Sequence, residues 1–207
     1  MDDEDPFNPL DKRNLGKSVV EALLESPALP LSNVPSFRGA GVYAIYYTGD
    51  FEPYRPLAVL NRDGPVHPIY VGKAIPKGGR TGAASIATGS TRALSARLLE
   101  HKASVACVPG LAIGDFTYRR LVVDDIWISL AEALVIEKFT PLWNKVVDGF
   151  GNHDPGAGRY GGRRPLWDEL HPGRPWAERC LAPRLPKEGI LAAVSDYMKS
   201  LAGEVGQ

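Results

Sequence analysis

Apolar residues change their period along this chain, and each change marks an element. Between Asn14 and Glu25, Val19, Val20, Leu23 and Leu24 recur at helical spacing, with Asn14 placed to cap the helix and Pro27 and Pro30 to end it. A linker to Gly39 follows. Residues 41–47 and 69–72 are short runs of Tyr, Val and Ile bounded by Gly and Pro, as in paired strands. Alternation puts Tyr43, Ile45 and Tyr47 on one strand face, and pairs Tyr70 with Gly72. A Pro-rich insertion, 48–68, separates the two runs and holds a short apolar stretch, Leu57–Leu60. Beyond Pro76 a polar Gly/Ser-rich loop continues to Thr91. Ser90 can then cap a helix running to about Ser104, in which Arg97 and His101 share a face beside Leu94 and Leu98. Residues 115–123 read as a third strand. Asp124 and Asp125 open a helix over 126–139, closed by Thr140-Pro141. A last helix, about 187–201, carries Ile190, Leu191, Val194, Tyr197, Met198 and Leu201 on a face suited to packing or dimer contact.

The segment 146–176 breaks these rhythms with Gly, Arg and His, and is long for a mere connection. The expected division is an arm and helix over 1–39, a core over 40–145, and a Gly/Arg-rich segment with a terminal helix over 146–207, all in one compact domain. The 207 residues allow a real core. Lys plus Arg equals Asp plus Glu at 24 each, so no global field attracts nucleic acid, and any DNA contact must rest on local patches. Two cysteines, Cys107 and Cys180, make a disulfide framework improbable. No run approaches the ~18 apolar residues of a membrane span, and no secretory leader opens the chain, so the expectation is a cytoplasmic protein without a membrane partner.

One carboxylate stands out. Glu132 lies in the stripe of Ile128, Val135, Ile136 and Phe139, where an acid is costly unless paired or metal-bound. Its own surroundings fit a salt-bridged residue as well as a ligand, and Glu137 lies off the stripe. Taken singly, the other candidates have plain readings too. Tyr43 and Tyr70 could be core tyrosines, Arg97 could pair with Glu100, and His101 could be structural.

In order along the chain, Gly41-Val42-Tyr43, Tyr70-Val71-Gly72 with Lys73, Arg97 with His101, Glu132 and Asn144 form a pattern that resembles the GIY-YIG nuclease superfamily. Val stands in both motifs where the family name has Ile. The motifs are also separated by far more than the usual short hairpin, which a loop tolerates because closure cost grows slowly with length. The stretches 7–11, 148–154 and 170–174 resemble the small Type II restriction endonucleases of that superfamily that cut CCGCGG. The resemblance implies an α/β (α+β) core, a small antiparallel sheet flanked by helices. It also implies hydrolysis of phosphodiester bonds in double-stranded DNA by a homodimer with one Mg²⁺ per active site.

On that resemblance Glu132 is the metal ligand, Arg97 holds the scissile phosphate and Tyr43 is the general base. An unaided phenol, with a pKa near 10, is a poor base. His101 is therefore expected to take or offset its proton, with Lys73 as the electrostatic alternative. Tyr70 contacts phosphate or water, and Asn144 braces the site. Lys77, Arg80 and Arg92 are expected on DNA phosphates. Arg159, Arg163, Arg164 and Arg174 are candidates for guanine, with Asp148 and Asp154 accepting from cytosine or orienting those arginines. The rivals are a GIY-YIG nuclease of repair or homing type, a DNA-binding module without activity, and a small-molecule phosphate binder using 76–82. Asn152-His153-Asp154 has the letters of an HNH site but no second His at suitable spacing.

Overall fold

The three predicted strand runs meet as neighbours in one antiparallel sheet. The computed structural model describes residue 8, residues 11–76 and residues 91–205. Among these the sheet has four strands in the order β1-β4-β2-β3, with β1 at Leu29–Pro30, β2 at Gly41–Tyr47, β3 at Tyr70–Ala74 and β4 at Phe116–Val122. β2 is central and buried along its whole length, because helices cover both sheet faces. One face of β2, with Tyr43, Ile45 and Tyr47, enters the main core beneath α3 (Ala93–Ala106). The other, with Ala44 and Tyr46, packs on Val20 and Leu23 of α1 (Lys12–Glu25) and Val135 of α4 (Asp125–Phe139). The chain thus forms the expected small antiparallel sheet flanked by helices.

Several local expectations change. Asn14 lies inside α1 rather than at its cap; its amide donates to the Asn8 carbonyl at 2.6 Å, and the Asp11 carbonyl accepts from Leu15. The linker before Gly39 contains β1, a two-residue edge strand whose Pro30 is tolerated only at such an edge. Ser90 lies outside the described residues, and Arg92 stands at the N-terminal boundary of α3.

The insertion 48–68 is not a surface excursion. A 3₁₀ turn at Glu52–Tyr54 runs into α2 (Arg55–Leu60), and Tyr54 and Leu57 are completely buried. Asn61 ties it down: its amide donates to the Tyr47 and His67 carbonyls, while its oxygen accepts from the Val66 and His67 amides. The C-terminal helix α7 runs Lys187–Val205 and buries Ile190, Val194, Met198 and Leu201 against this part of the core. Both cysteines are free. Among the described residues no helix is long and apolar enough to cross a membrane.

β3 is an edge strand, and its outer edge is covered from α5 (Leu142–Lys145). The Asn144 side chain accepts from the Val71 amide and donates to the Val71 carbonyl, both at 2.8 Å, as a neighbouring strand would. The Trp143 amide donates to Ile69 just beyond. This covered edge sets the position of the cleft described next.

Candidate active site

Register builds the site from its floor upward. Tyr43 on β2 lies opposite Gly72 on β3, and a Cβ at Gly72 would fall 2.4 Å from the Tyr43 hydroxyl. Only a residue without a side chain leaves that phenol its place. The Tyr70 ring sits 6.2 Å from the Tyr43 ring. From α3, His101 places Nε2 at 2.6 Å from the Tyr43 hydroxyl. One turn earlier, Arg97 meets Glu100 at 2.9 Å and the Gly151 carbonyl at 2.5 Å, and contacts the His153 ring.

α4 approaches from the other side of the β3 edge. It carries Glu132 to the Lys73 ammonium at 2.8 Å, and Ser129 to the same ammonium at 3.2 Å. Between the two helices opens a cleft of about 700 Å³ whose walls include Tyr70, Lys73, Arg92, Arg97, Glu132 and His153. Tyr43 and His101 lie behind this wall, Tyr43 with 0 % exposure.

Burial dominates the electrostatics. It pushes the Tyr43 phenol well above its ordinary range; the neighbouring Tyr70 adds to the shift and Arg97 opposes it. Tyr70 is raised by burial, again against Arg97. Burial, then the Arg97 charge, holds His101 well below the usual imidazole range, and the same two causes lower His153. At neutral pH the phenol therefore keeps its proton and His101 is neutral. The short contact joins two neutral groups; where the phenol O–H donates to Nε2, the ring hydrogen of His101 sits on Nδ1.

Among the described residues no group of three or more His, Cys, Asp or Glu side chains could cage an ion. Two carboxylates line the cleft: Glu132, whose side chain is 22 % exposed and faces Lys73, and Glu100, which is paired with Arg97 at 2.9 Å. That donor set fits a hard divalent cation that keeps most of its waters and shares a substrate phosphate oxygen.

Residues 35–198 match the family model described as the Eco29kI GIY-YIG domain, a span of well over half the chain. The chain belongs to the Eco29kI GIY-YIG family. These are restriction-endonuclease-like nucleases whose substrate is DNA, and GIY-YIG nucleases generally use divalent metal ions. No curated protein matches the chain.

In this GIY-YIG chain, Tyr70, Arg97, Lys73 and Glu132 share the cleft, and Tyr43 and His101 lie directly behind it. Lys73 faces Glu132 rather than the Tyr43 phenol. Asn144 is engaged with the β3 backbone. Arg92 is exposed at the cleft rim, and Arg159 and Arg163 are exposed on the surface beyond His153. Lys77 and Arg80, with most of the 76–82 loop, lie outside the described residues.

Arg174 departs from expectation. It is 4 % exposed, and its donors meet both Asp168 oxygens and the carbonyls of Gly149, Phe150 and Asn152. No donor remains for a guanine edge. Arg164 is also partly committed, to Glu169 at 3.0 Å and the Ala177 carbonyl. Asp148 and Asp154 pair with Arg184 and Arg179, neither of which composition singled out.

Sequence reasoning marked 148–154 only as a stretch resembling the small Type II enzymes, and missed that it closes the site. Phe150 stacks on His101 at 4.5 Å and meets the edge of Tyr70 at 5.0 Å. Gly151 and His153 hold Arg97. A loop residue carries no periodicity, so beyond that resemblance the available signal was a His and a Phe inside a Gly-rich run.

Proposed function

We propose that this chain is a Mg²⁺-dependent Type II restriction endonuclease that cuts both strands of a palindromic G/C-rich DNA site as a homodimer, with CCGCGG as the site. The observation that carries this reading is the opening of Tyr70, Arg97 and Glu132 onto one cleft, with a Tyr43–His101 hydrogen bond of 2.6 Å at its back.

Arg97 takes the scissile phosphate, its planar fork matching two phosphate oxygens. Gly151 and Glu100 already orient that guanidinium. The neutral His101 accepts the Tyr43 proton as the Tyr43 oxygen draws a proton from the attacking water. Phosphorus gains a bond to the water oxygen and loses one to the leaving oxygen of the sugar, which takes its proton from solvent water. Tyr70, on the cleft wall, hydrogen-bonds the phosphate or the water. Glu132 holds the divalent ion, which supplies Lewis-acid stabilisation of the charge gathering on phosphate. Lys73 steadies Glu132, and Asn144 keeps β3 and Tyr70 in register. Arg92, Arg159 and Arg163 contact DNA; Arg164, Lys77 and Arg80 belong to the same proposed set. A palindromic target calls for two-fold symmetry, which gives one site per strand.

Plasmid DNA incubated with and without Mg²⁺, followed by mapping of fragment ends, tests this. Discrete fragments ending at CCGCGG, formed only with Mg²⁺, are expected. Fragments ending elsewhere overturn the target, and a smear or nicking overturns restriction in favour of repair-like cleavage. A gel shift without cutting overturns the enzymatic reading altogether.

A further inference from the structure

Arg174 is buried with its donors engaged inside the protein, so its function is sought in what it holds. Its guanidinium lies over the Trp167 ring at 4.6 Å and the Trp176 ring at 4.8 Å, and it forms a two-point pair with Asp168 of α6 (Leu166–Leu170). The remaining donors go to carbonyls within one short loop: Gly149 at 3.0 Å, Phe150 at 3.0 Å and Asn152 at 3.0 Å. Three inward carbonyls in four residues leave the loop almost no freedom. Lys could not replace this fork, because a single ammonium cannot reach a bidentate carboxylate and three separate carbonyls.

The same loop touches three residues of the cleft constellation. Its Phe150 ring stacks on His101 at an interplanar angle of 18° and meets Tyr70 nearly edge-on at 80°. The Gly151 carbonyl accepts from Arg97, and a Cβ at Gly151 would fall 2.4 Å from the Tyr70 hydroxyl. His153 contacts the Arg97 guanidinium from the cleft side. The loop therefore sets the rotamers of Tyr70, Arg97 and His101, and Arg174 sets the loop.

We infer that the buried Asp168–Arg174 pair is a positioning unit for phosphodiester cleavage, fixing loop 149–153 so that Phe150, Gly151 and His153 hold His101, Tyr70 and Arg97 in place. The inference rests on the nuclease reading above for its effect on rate, but not for its effect on geometry. A displacement of about 1 Å in a group that must meet a phosphate can cost on the order of a hundredfold in rate. Pairing to DNA predicts a loss of affinity. Positioning predicts a loss of turnover.

The test uses the full chain and two variants. Arg174→Lys keeps the charge and removes the fork; Asp168→Leu with Arg174→Met removes the buried charges together, which preserves folding when a lone charge would not. Three quantities are read on each: the imidazole NMR resonances of His101 and His153 without DNA, DNA affinity without divalent ion, and kcat and KM for cleavage at a temperature where the variant is folded by circular dichroism. We expect shifted resonances of both rings and a kcat lower by about tenfold to a hundredfold, with affinity and KM within about twofold. Placed on Arg97→Ala, Arg174→Lys should lower kcat less than it does alone, because the share of its effect that passes through Arg97 is then already lost. A folded variant with unshifted rings, or with wild-type kcat, overturns the proposal. Equal losses in affinity and turnover would make Arg174 a DNA ligand after all. If the wild-type chain cuts no DNA, the nuclease reading fails instead, and the ring resonances still decide whether Arg174 positions the loop.

Discussion

Among the described residues three phenol–imidazole pairs occur, and the two that are fully buried are of nearly equal length, the part-buried His67–Tyr197 contact being longer at 3.1 Å. Tyr43 meets His101 at 2.6 Å, and Tyr54 meets His171 at 2.7 Å. In both, burial drives the phenol up and the imidazole down, so both are hydrogen bonds between neutral partners. Their surroundings differ. Around Tyr43, Tyr70, Arg97 and Glu132 all act on the phenol, and Tyr70 forms part of a cleft wall. Tyr54 accepts from the Trp143 indole at 3.1 Å, and Phe51, Trp143 and Trp167 crowd its partner His171. A Tyr–His contact is thus first a way of satisfying a buried phenol. What could make one pair reactive is a guanidinium, a carboxylate and an opening beside it.

The largest effect that sharpens this contrast is expected from Tyr43→Phe. Under the proposed mechanism it removes the general base, a contribution of about 10²–10⁴ in rate. Single-turnover cleavage should fall by that factor while DNA affinity, measured without divalent ion, stays within about twofold. Undiminished cleavage would reduce the Tyr43 pair to the same packing role as the Tyr54 pair. Next comes Gly72→Ala. Its Cβ would lie 2.4 Å from the Tyr43 hydroxyl and 2.7 Å from Cζ, so the ring must move off His101. Cleavage should drop by about tenfold or more, since small misplacements of a reacting group are expensive. Cleavage at the wild-type rate would show that the 2.6 Å contact does not matter to turnover.

How far each pair was legible in the sequence follows from locality. Strand alternation put Tyr43 and Tyr47 on one face, and the structure sends both into the same core. A four-residue spacing put Arg97 and His101 on one face of α3, and both reach the Tyr43–Tyr70 surface. Tyr54 and His171 are 117 residues apart, one in what read as an insertion and the other in a Gly/Pro stretch. No local period links them. The surroundings of Arg174 were hidden for the same reason. An arginine in a Gly-rich run reads alike whether it faces DNA or three carbonyls, and only tertiary structure sets Asp168 and the 149–152 carbonyls around it. Glu132 shows a milder version: its stripe neighbours Ile128 and Val135 are buried, yet the acid itself turns to the cleft wall and Lys73.

Tyr54→Phe tests the core pair from its own side. It strands the Trp143 N–H and the His171 ring nitrogen in a dry interior, a penalty of about 1–3 kcal/mol for unsatisfied buried groups. Urea unfolding should show a loss of that size with an unchanged m-value. Cleavage per folded molecule should stay within about twofold. A large loss of turnover in the folded variant would break the division between a reactive pair and a packing pair.

The smallest expected effect concerns pH and treats the pairs as alike. Burial, aided by Lys187, lowers the His171 pKa from 6.5 to about 3, and His101 moves the same way. An imidazole depressed in the folded state stays neutral there while the unfolded chain binds a proton below about pH 6.5. The unfolded state then holds more protons, so stability is complete above that pH and declines as the pH falls through the window from 6.5 toward 3. Each such imidazole contributes a slope approaching about 1.4 kcal/mol per pH unit. Between pH 6 and 5, before most carboxylates titrate, urea unfolding should therefore report an uptake of nearly two protons, with a smaller share from the half-exposed His153. His171→Gln removes one titrating ring and keeps an acceptor for Tyr54, so its slope should fall by nearly one proton. An unchanged slope would mean that His171 is protonated inside the core. In that case the Tyr54 hydroxyl would be an acceptor toward the ring, as it already is toward the Trp143 indole, and the two pairs would differ in charge as well as in surroundings.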